Sequence, residues 1–270
     1  MKKLIILIVG ILLLVGCGST DKDKDVTTLK ISATAIPHEE ILKEANKILE
    51  EEYNIKLDIL VTDDYYIPNK ALNDGDVDAN FFQHIPFFEG QKEELGYKIV
   101  NAGAIHIEPI GIYSKKYSSI DEIADGSTVI ISNSVADHGR VLAVFQEAGL
   151  IKIKDGVETL SATISDIASN PKNLVFRAEI APELLATSYL NDEADLVAIN
   201  SNYALSANLN PLKDSLIIES SVDNPYVNIV AVKEGNENNE AIKKLVEVLR
   251  SKAIQDFIIS KYSGSVVPAE

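Results

Sequence analysis

The chain carries one cysteine, Cys17, among its 270 residues. A disulfide within the chain is thereby excluded, and neither a thiolate metal site nor a thiol catalyst is expected. Positive charge is scarce as well: 25 Lys and Arg stand against 41 Asp and Glu, a formal net charge of −16. Such a surface repels phosphate backbones, so no nucleic-acid partner is expected. No apolar run reaches the roughly 20 residues that cross a bilayer as a stable helix. The chain also lacks a Gly-x-Ser-x-Gly elbow, a phosphate-binding glycine loop and a His-Glu-x-x-His segment. Its four histidines, His38, His84, His106 and His138, stand singly, and nothing at ligand spacing favours a metal. These absences point away from an enzyme and from any cofactor or metal centre.

What is present begins at the N-terminus. Met1, Lys2 and Lys3 precede an apolar run from Leu4 to Gly16, the pattern of a secretory signal. The run closes on Leu14-Val15-Gly16-Cys17, which resembles the bacterial lipobox, where small residues precede a cysteine that is diacylated after cleavage. Residues 1–16 therefore read as signal peptide and Cys17 as the lipidation site of a membrane-anchored, extracytoplasmic protein. Removing Lys2 and Lys3 leaves the remainder still more acidic. Residues 18–25 are polar, charged and aperiodic, so 17–27 reads as a flexible tether.

Beyond the tether, short apolar runs alternate with amphipathic segments. Strands are expected at 29–33, 56–61, 77–81, 98–100, 107–113, 128–132, 174–176, 196–199, 216–218 and 227–232. Helices are expected at 38–53, 68–74, 86–95 and 139–148, with one or two more in 239–262. This alternation predicts an α/β architecture with parallel sheets. Ligands of such folds sit beyond strand ends, in the loops that open the next helix.

Several of those junctions carry unusual residues. Asp63-Asp64-Tyr65-Tyr66-Ile67-Pro68-Asn69, taken alone, reads as a capped helix start with a packing tyrosine. Phe81, Phe82, Phe87 and Phe88 surround Gln83, His84 and Pro86, a composition that suits either a pocket wall or an aromatic helix face. In Asp137-His138-Gly139-Arg140 the guanidinium offers a planar fork for a carboxylate, or serves as an ordinary surface arginine. Asn200 and Asn228 lie at or in apolar strands, where an amide must find partners in a ligand or in nearby backbone.

The ordered set of these segments resembles the methionine-binding lipoprotein family, the NlpA type that serves ABC importers. The match runs from about Leu29 to Pro268. It rests on Asp64-Tyr65, Pro68-Asn69, Gly75-Asp76-Val77-Asp78-Ala79-Asn80, Phe82-Gln83-His84, His106-Ile107-Glu108-Pro109, Gly139-Arg140, Asn170-Pro171-Lys172-Asn173-Leu174, Asn202-Tyr203-Ala204 and Pro225-Tyr226-Val227-Asn228. The resemblance implies a two-lobed, periplasmic-binding-protein-like α/β fold with a ligand cleft between lobes. The implied division is 28–112 with 227–270 for the first lobe and 113–226 for the second. The ligand implied is L-methionine or a close derivative, with Tyr65, Phe82, His84 and Phe87 around its side chain. Arg140 would pair with its carboxylate, while Asn200 and Asn228 would hold the α-amino and carboxylate groups. An ABC permease and ATPase are the implied protein partners of a monomeric receptor.

Two stretches depart from the family pattern. Where relatives read Asn-Asp-Pro-Thr-Asn before the glycine-arginine pair, this chain has Asn133-Ser134-Val135-Ala136-Asp137, which places a carboxylate beside the ligand. Leu-Pro-Arg becomes Leu185-Ala186-Thr187. A methionine-containing dipeptide or another amino acid is therefore the alternative ligand, with a metal-ion receptor and a lipid-anchored enzyme as the other readings.

Overall fold

A computed structural model describes residues 26–269, so the signal segment and Cys17 lie outside the described residues. In chain order the first stretch holds β1 (Thr27–Ala33), α1 (Glu40–Tyr53), β2 (Ile55–Val61), α2 (Ile67–Asp74), β3 (Ala79–His84), α3 (Ile85–Leu95) and β4 (Ile99–Ile107). The middle holds β5 (Gly111–Tyr113), β6 (Thr128–Ser132), α4 (Val135–Glu147), β7 (Lys152–Ile153), β8 (Ile167–Ser169), β9 (Val175–Ile180) and α5 (Leu185–Leu190). It continues through β10 (Leu196–Ile199), α6 (Ser201–Ser206), α7 (Pro211–Asp214) and β11 (Ile217–Ile218). The chain closes with β12 (Val227–Lys233), α8 (Glu240–Leu249), α9 (Lys252–Tyr262) and β13 (Val267–Pro268). Among the described residues no helix is long and apolar enough to cross a membrane.

The strands form two main sheets, ordered β13-β4-β12-β3-β1-β2 and β11-β5-β10-β6-β9. Each covers its own core. Ile31, Leu42, Phe81, Val230, Leu245 and Ile258 belong to the first, and Val129, Ile131, Leu142, Phe145 and Leu196 to the second. The amphipathic spacing of α1 explains its place: Ile41, Leu42, Ala45 and Leu49 share one buried face. Each such aliphatic or aromatic side chain contributes about 1.5–3 kcal/mol by leaving water.

The sheets are mixed, which corrects the expectation of parallel ones. Strands joined through crossover helices do run parallel, as β1 does with both β2 and β3. β4 and β12, which carry the chain between sheets, run antiparallel to each other and β12 to β3. The strand expected over 107–113 is also two strands, one in each sheet. Between them, Pro109 has no N–H to continue a ladder. The chain thus passes from the first sheet to the second at 108–110 and returns through 219–226.

Two local choices aim the site. α2 and α3 each carry proline in the first turn, and α2 stops at Gly75, whose φ of 87° suits a residue without Cβ. β3 lies between β1 and β12 with all six residues buried, so its C-terminal end presents Gln83 and His84 at the sheet edge facing the second lobe.

Candidate functional site

About 390 Å³ of empty space lies where the ends of β3, β10 and β12 meet the first turns of α4 and α6. Its walls include all eight residues expected at a ligand: Tyr65, Phe82, His84, Phe87, Asp137, Arg140, Asn200 and Asn228. Gln83, Glu108, Ser201 and Asn202 complete the lining.

One end is aromatic. The Tyr65 ring centroid stands 6.1 Å from Phe82, 5.9 Å from Phe87 and 5.0 Å from Tyr203. Tyr65 donates its hydroxyl to Asn202 Oδ1 at 2.6 Å, and burial pushes the phenol well above its usual range. Gln83, the polar residue that looked out of place in an apolar strand, exchanges hydrogen bonds with Asn69 of α2, at 2.7 Å each way. That amide pair removes the desolvation penalty of a lone buried glutamine.

The other end is polar, and its proton positions can be deduced. The backbone N–H of Phe87 donates to His84 Nδ1 at 3.1 Å, so the ring proton sits on Nε2. Nε2 donates to Asp137 Oδ1 at 3.2 Å, joining the two lobes, and Asn200 Nδ2 donates to Asp137 Oδ2 at 3.1 Å. Burial pushes the Asp137 carboxyl up, but His84, Arg140 and Asn200 together hold it below its ordinary value. Asn200 Oδ1 is buried and has no partner among the described residues.

Arg140 is more committed than its sequence context suggested. Its Nε donates to Glu219 at 2.9 and 3.0 Å, and Nη2 donates to Glu219 Oε2 and to the Glu108 carbonyl, each at 2.6 Å. Nη1 stands 4.0 Å from Asp137 Oδ1, and the guanidinium lies 4.5 Å from the Tyr226 ring centroid. Glu219 Oε2 also accepts from the Ile110 amide at 3.1 Å. One buried ion pair therefore ties together both segments on which the chain crosses between sheets. Nη1 takes no hydrogen bond among the described residues.

Behind the cavity floor the histidines are not scattered. One ring nitrogen each of His38 and His106 and a Glu108 oxygen lie within 4.8 Å of one another, the group among the described residues that could hold a metal ion. His106 Nε2 already hydrogen-bonds Glu108 Oε1 at 2.7 Å, and His38 Nε2, 3.2 Å from the same oxygen, hydrogen-bonds Asn228 Oδ1 at 3.1 Å. Burial holds the two imidazoles down, at about 4 for His38 and about 3 for His106, so both are neutral at physiological pH. Burial pushes the Glu108 carboxyl up.

Sequence reasoning passed over five contributors. Glu108 and Asn202 sat inside quoted motifs, Gln83 beside His84 and Ser201 beside Asn200, and each could have been found as a polar residue at a strand-to-helix junction. Glu219 had no signal; between Ile218 and Ser220 it reads as an ordinary surface acid.

Two α/β lobes joined by two crossings, with a cavity walled by both, make the fold that of the two-lobed periplasmic substrate-binding proteins. Residues 29–270 match the NlpA lipoprotein family, and the chain belongs to it. It is 50% identical to the methionine-binding lipoprotein MetQ of Bacillus subtilis (strain 168), over 99% of each chain. It is 36% identical to the D-methionine-binding lipoprotein MetQ of Escherichia coli (strain K12), over 96% of this chain and 94% of that one. The structure of a nutrient-binding protein from Burkholderia cenocepacia bound to methionine superposes with a TM-score of 0.84, at 37% identity, covering 90% of this chain and all of that one.

Proposed function

We propose that the cavity binds L-methionine or a close derivative, and that the protein is the extracytoplasmic, lipid-anchored receptor of an ABC importer. The observation that carries this reading is the polarity of the cavity. Its aromatic end, Tyr65, Phe82 and Phe87, suits a flexible thioether, since sulfur makes favourable contacts with ring edges. At the other end, acceptors and donors both face the cavity. Asp137, Glu108 and the free Oδ1 of Asn200 suit an α-ammonium, while Arg140 Nη1 and the Asn228 amide suit an α-carboxylate. The relatives named as methionine-binding, and the one bound to methionine, support methionine as the ligand.

Binding needs no covalent chemistry. Lobes carried by the two sheets close about 108–110 and 219–226, and both contact one ligand. The receptor acts as a monomer, held at the membrane through Cys17, and delivers its ligand to a permease and ATPase pair. Asp137 bears on the choice between free methionine and a dipeptide. Both its oxygens are engaged, by His84 and by Asn200, so its charge is held at the ammonium position and the free amino acid is favoured. Mass spectrometry of the small molecules released on denaturing the freshly purified protein tests the reading. L-methionine is the expected species; a dipeptide or a different amino acid in its place would overturn it.

A further inference from the structure

The reading above gives Asn228 a ligand contact, and the structure shows what stands behind that side chain. Thr34, His38 and Asn228 form a buried file, exposed by only 2%, 1% and 5%. Thr34 Oγ1 is 2.6 Å from His38 Nδ1, and His38 Nε2 is 3.1 Å from Asn228 Oδ1. We propose that Thr34 and His38 are positioning residues that lock the Asn228 amide with its NH2 group toward the cavity, so that the site selects ligands with a free carboxylate. This rests on the proposed amino-acid reading.

The donor roles can be worked out link by link. A neutral imidazole has one N–H and one bare nitrogen. Burial keeps His38 neutral at physiological pH, so it has a single proton to place. Its Nε2 stands 3.1 Å from Asn228 Oδ1, an amide oxygen that can only accept, and 3.2 Å from Glu108 Oε1. The proton therefore belongs on Nε2, and Nδ1 is the acceptor. Thr34, whose hydroxyl can rotate to either role, then donates to Nδ1. With an N–H directed at it, the Asn228 amide keeps its oxygen toward His38; the flipped amide would set donor against donor. Its NH2 group is left for the cavity, where no protein partner takes it among the described residues.

The surroundings prevent escape from this arrangement. The His38 ring packs edge-on against Phe81 at 4.6 Å and lies 5.0 Å from His106. Asn228 sits where the β12–β4 register shifts, between Asn228 and Ile229, and such an irregularity re-aims a side chain out of the pleat. Two fixed N–H donors on the carboxylate side, with Arg140 Nη1 nearby, favour a carboxylate over a neutral replacement.

The experiment has two arms on the full mature chain. In the ligand-free protein, the ring 15N chemical shifts of His38 report its tautomer: Nε2–H is expected, and Nδ1–H would overturn the proposal whether or not methionine binds. Calorimetric titration then compares L-methionine with L-methioninol, which keeps the ammonium and thioether but has an alcohol for the carboxylate. His38→Phe is expected to weaken methionine by about tenfold more than methioninol, the scale of one lost hydrogen bond to a charged group. Thr34→Val should shift the same ratio in the same direction by a smaller factor. Equal losses for the two ligands would reduce Thr34 and His38 to structural parts. Failure of the wild-type chain to bind methionine would sink the functional reading instead, while the tautomer still decides this one.

Discussion

The guanidinium of Arg140 has three nitrogens, and Glu219 with the Glu108 carbonyl occupies two of them. Those bonds serve the fold, and the third nitrogen is the one proposed above for the ligand. Removing it strands the carboxylate of Glu219, which is only 10% exposed, and such a loss typically costs about 3–5 kcal/mol. Phe87→Leu, by contrast, is an apolar exchange worth no more than about 1.5 kcal/mol. Urea denaturation of the ligand-free protein should accordingly show Arg140→Ala far less stable than Phe87→Leu. Equal midpoints would mean that the buried pair contributes nothing beyond packing.

His38 and His106 supply a second residue-scale consequence. Both titrate below the ordinary value of 6.5 when folded, at about 4 and about 3. As pH falls below about 6.5 the unfolded chain takes up protons that the folded chain refuses, so stability is full above that pH and declines toward pH 4. Each imidazole contributes a slope of about 1.4 kcal/mol per pH unit. Glu108, whose carboxyl is pushed up by burial, works in the opposite direction, so the net decline is shallower than two imidazoles alone would give. Denaturation midpoints should fall between pH 7 and pH 5. A midpoint that rises over that interval would contradict the neutral, buried assignment.

At the scale of elements, α4 was the least legible in the sequence. A helix was expected to start at Gly139, but it starts at Val135. Residues 134–137, which lie before the expected start, are its cap and first turn, with Asp137 where a carboxylate meets the positive end of the helix dipole. The reason Gly139 is glycine is also tertiary: a Cβ there would lie 1.9 Å from the Thr159 carbonyl oxygen. That contact, on the turn Thr159–Ser161, is twenty residues away in the chain and left no mark on local periodicity. Gly139→Ala must push backbone away from backbone, a change that typically costs about 1–3 kcal/mol. A thermal midpoint unchanged from wild type would show that the turn gives way freely. By comparison β1, β6, β10 and β12 were plain in the sequence, because their apolar runs are central strands whose burial follows from composition.

For the molecule as a whole, strand-helix alternation revealed the α/β class, but the sheet order was not visible. Which strands pair depends on where the chain crosses between lobes, and the crossing at 108–110 looks like part of a strand until Pro109 is placed. The cavity shows the same limit. Its aromatic and amide walls stood out as odd residues at junctions, whereas Glu219 and the histidine floor matter through contacts between distant segments: His38 meets Asn228 across 190 positions. The account stands on one claim, that both lobes hold a single free methionine between them. Isothermal titration of the purified, ligand-stripped protein with L-methionine tests it most directly. The account predicts saturable one-to-one binding, micromolar or tighter, that weakens sharply when the carboxylate or the ammonium is removed from the ligand. No heat of binding at millimolar L-methionine, with clear binding of a peptide or a different amino acid, would contradict it.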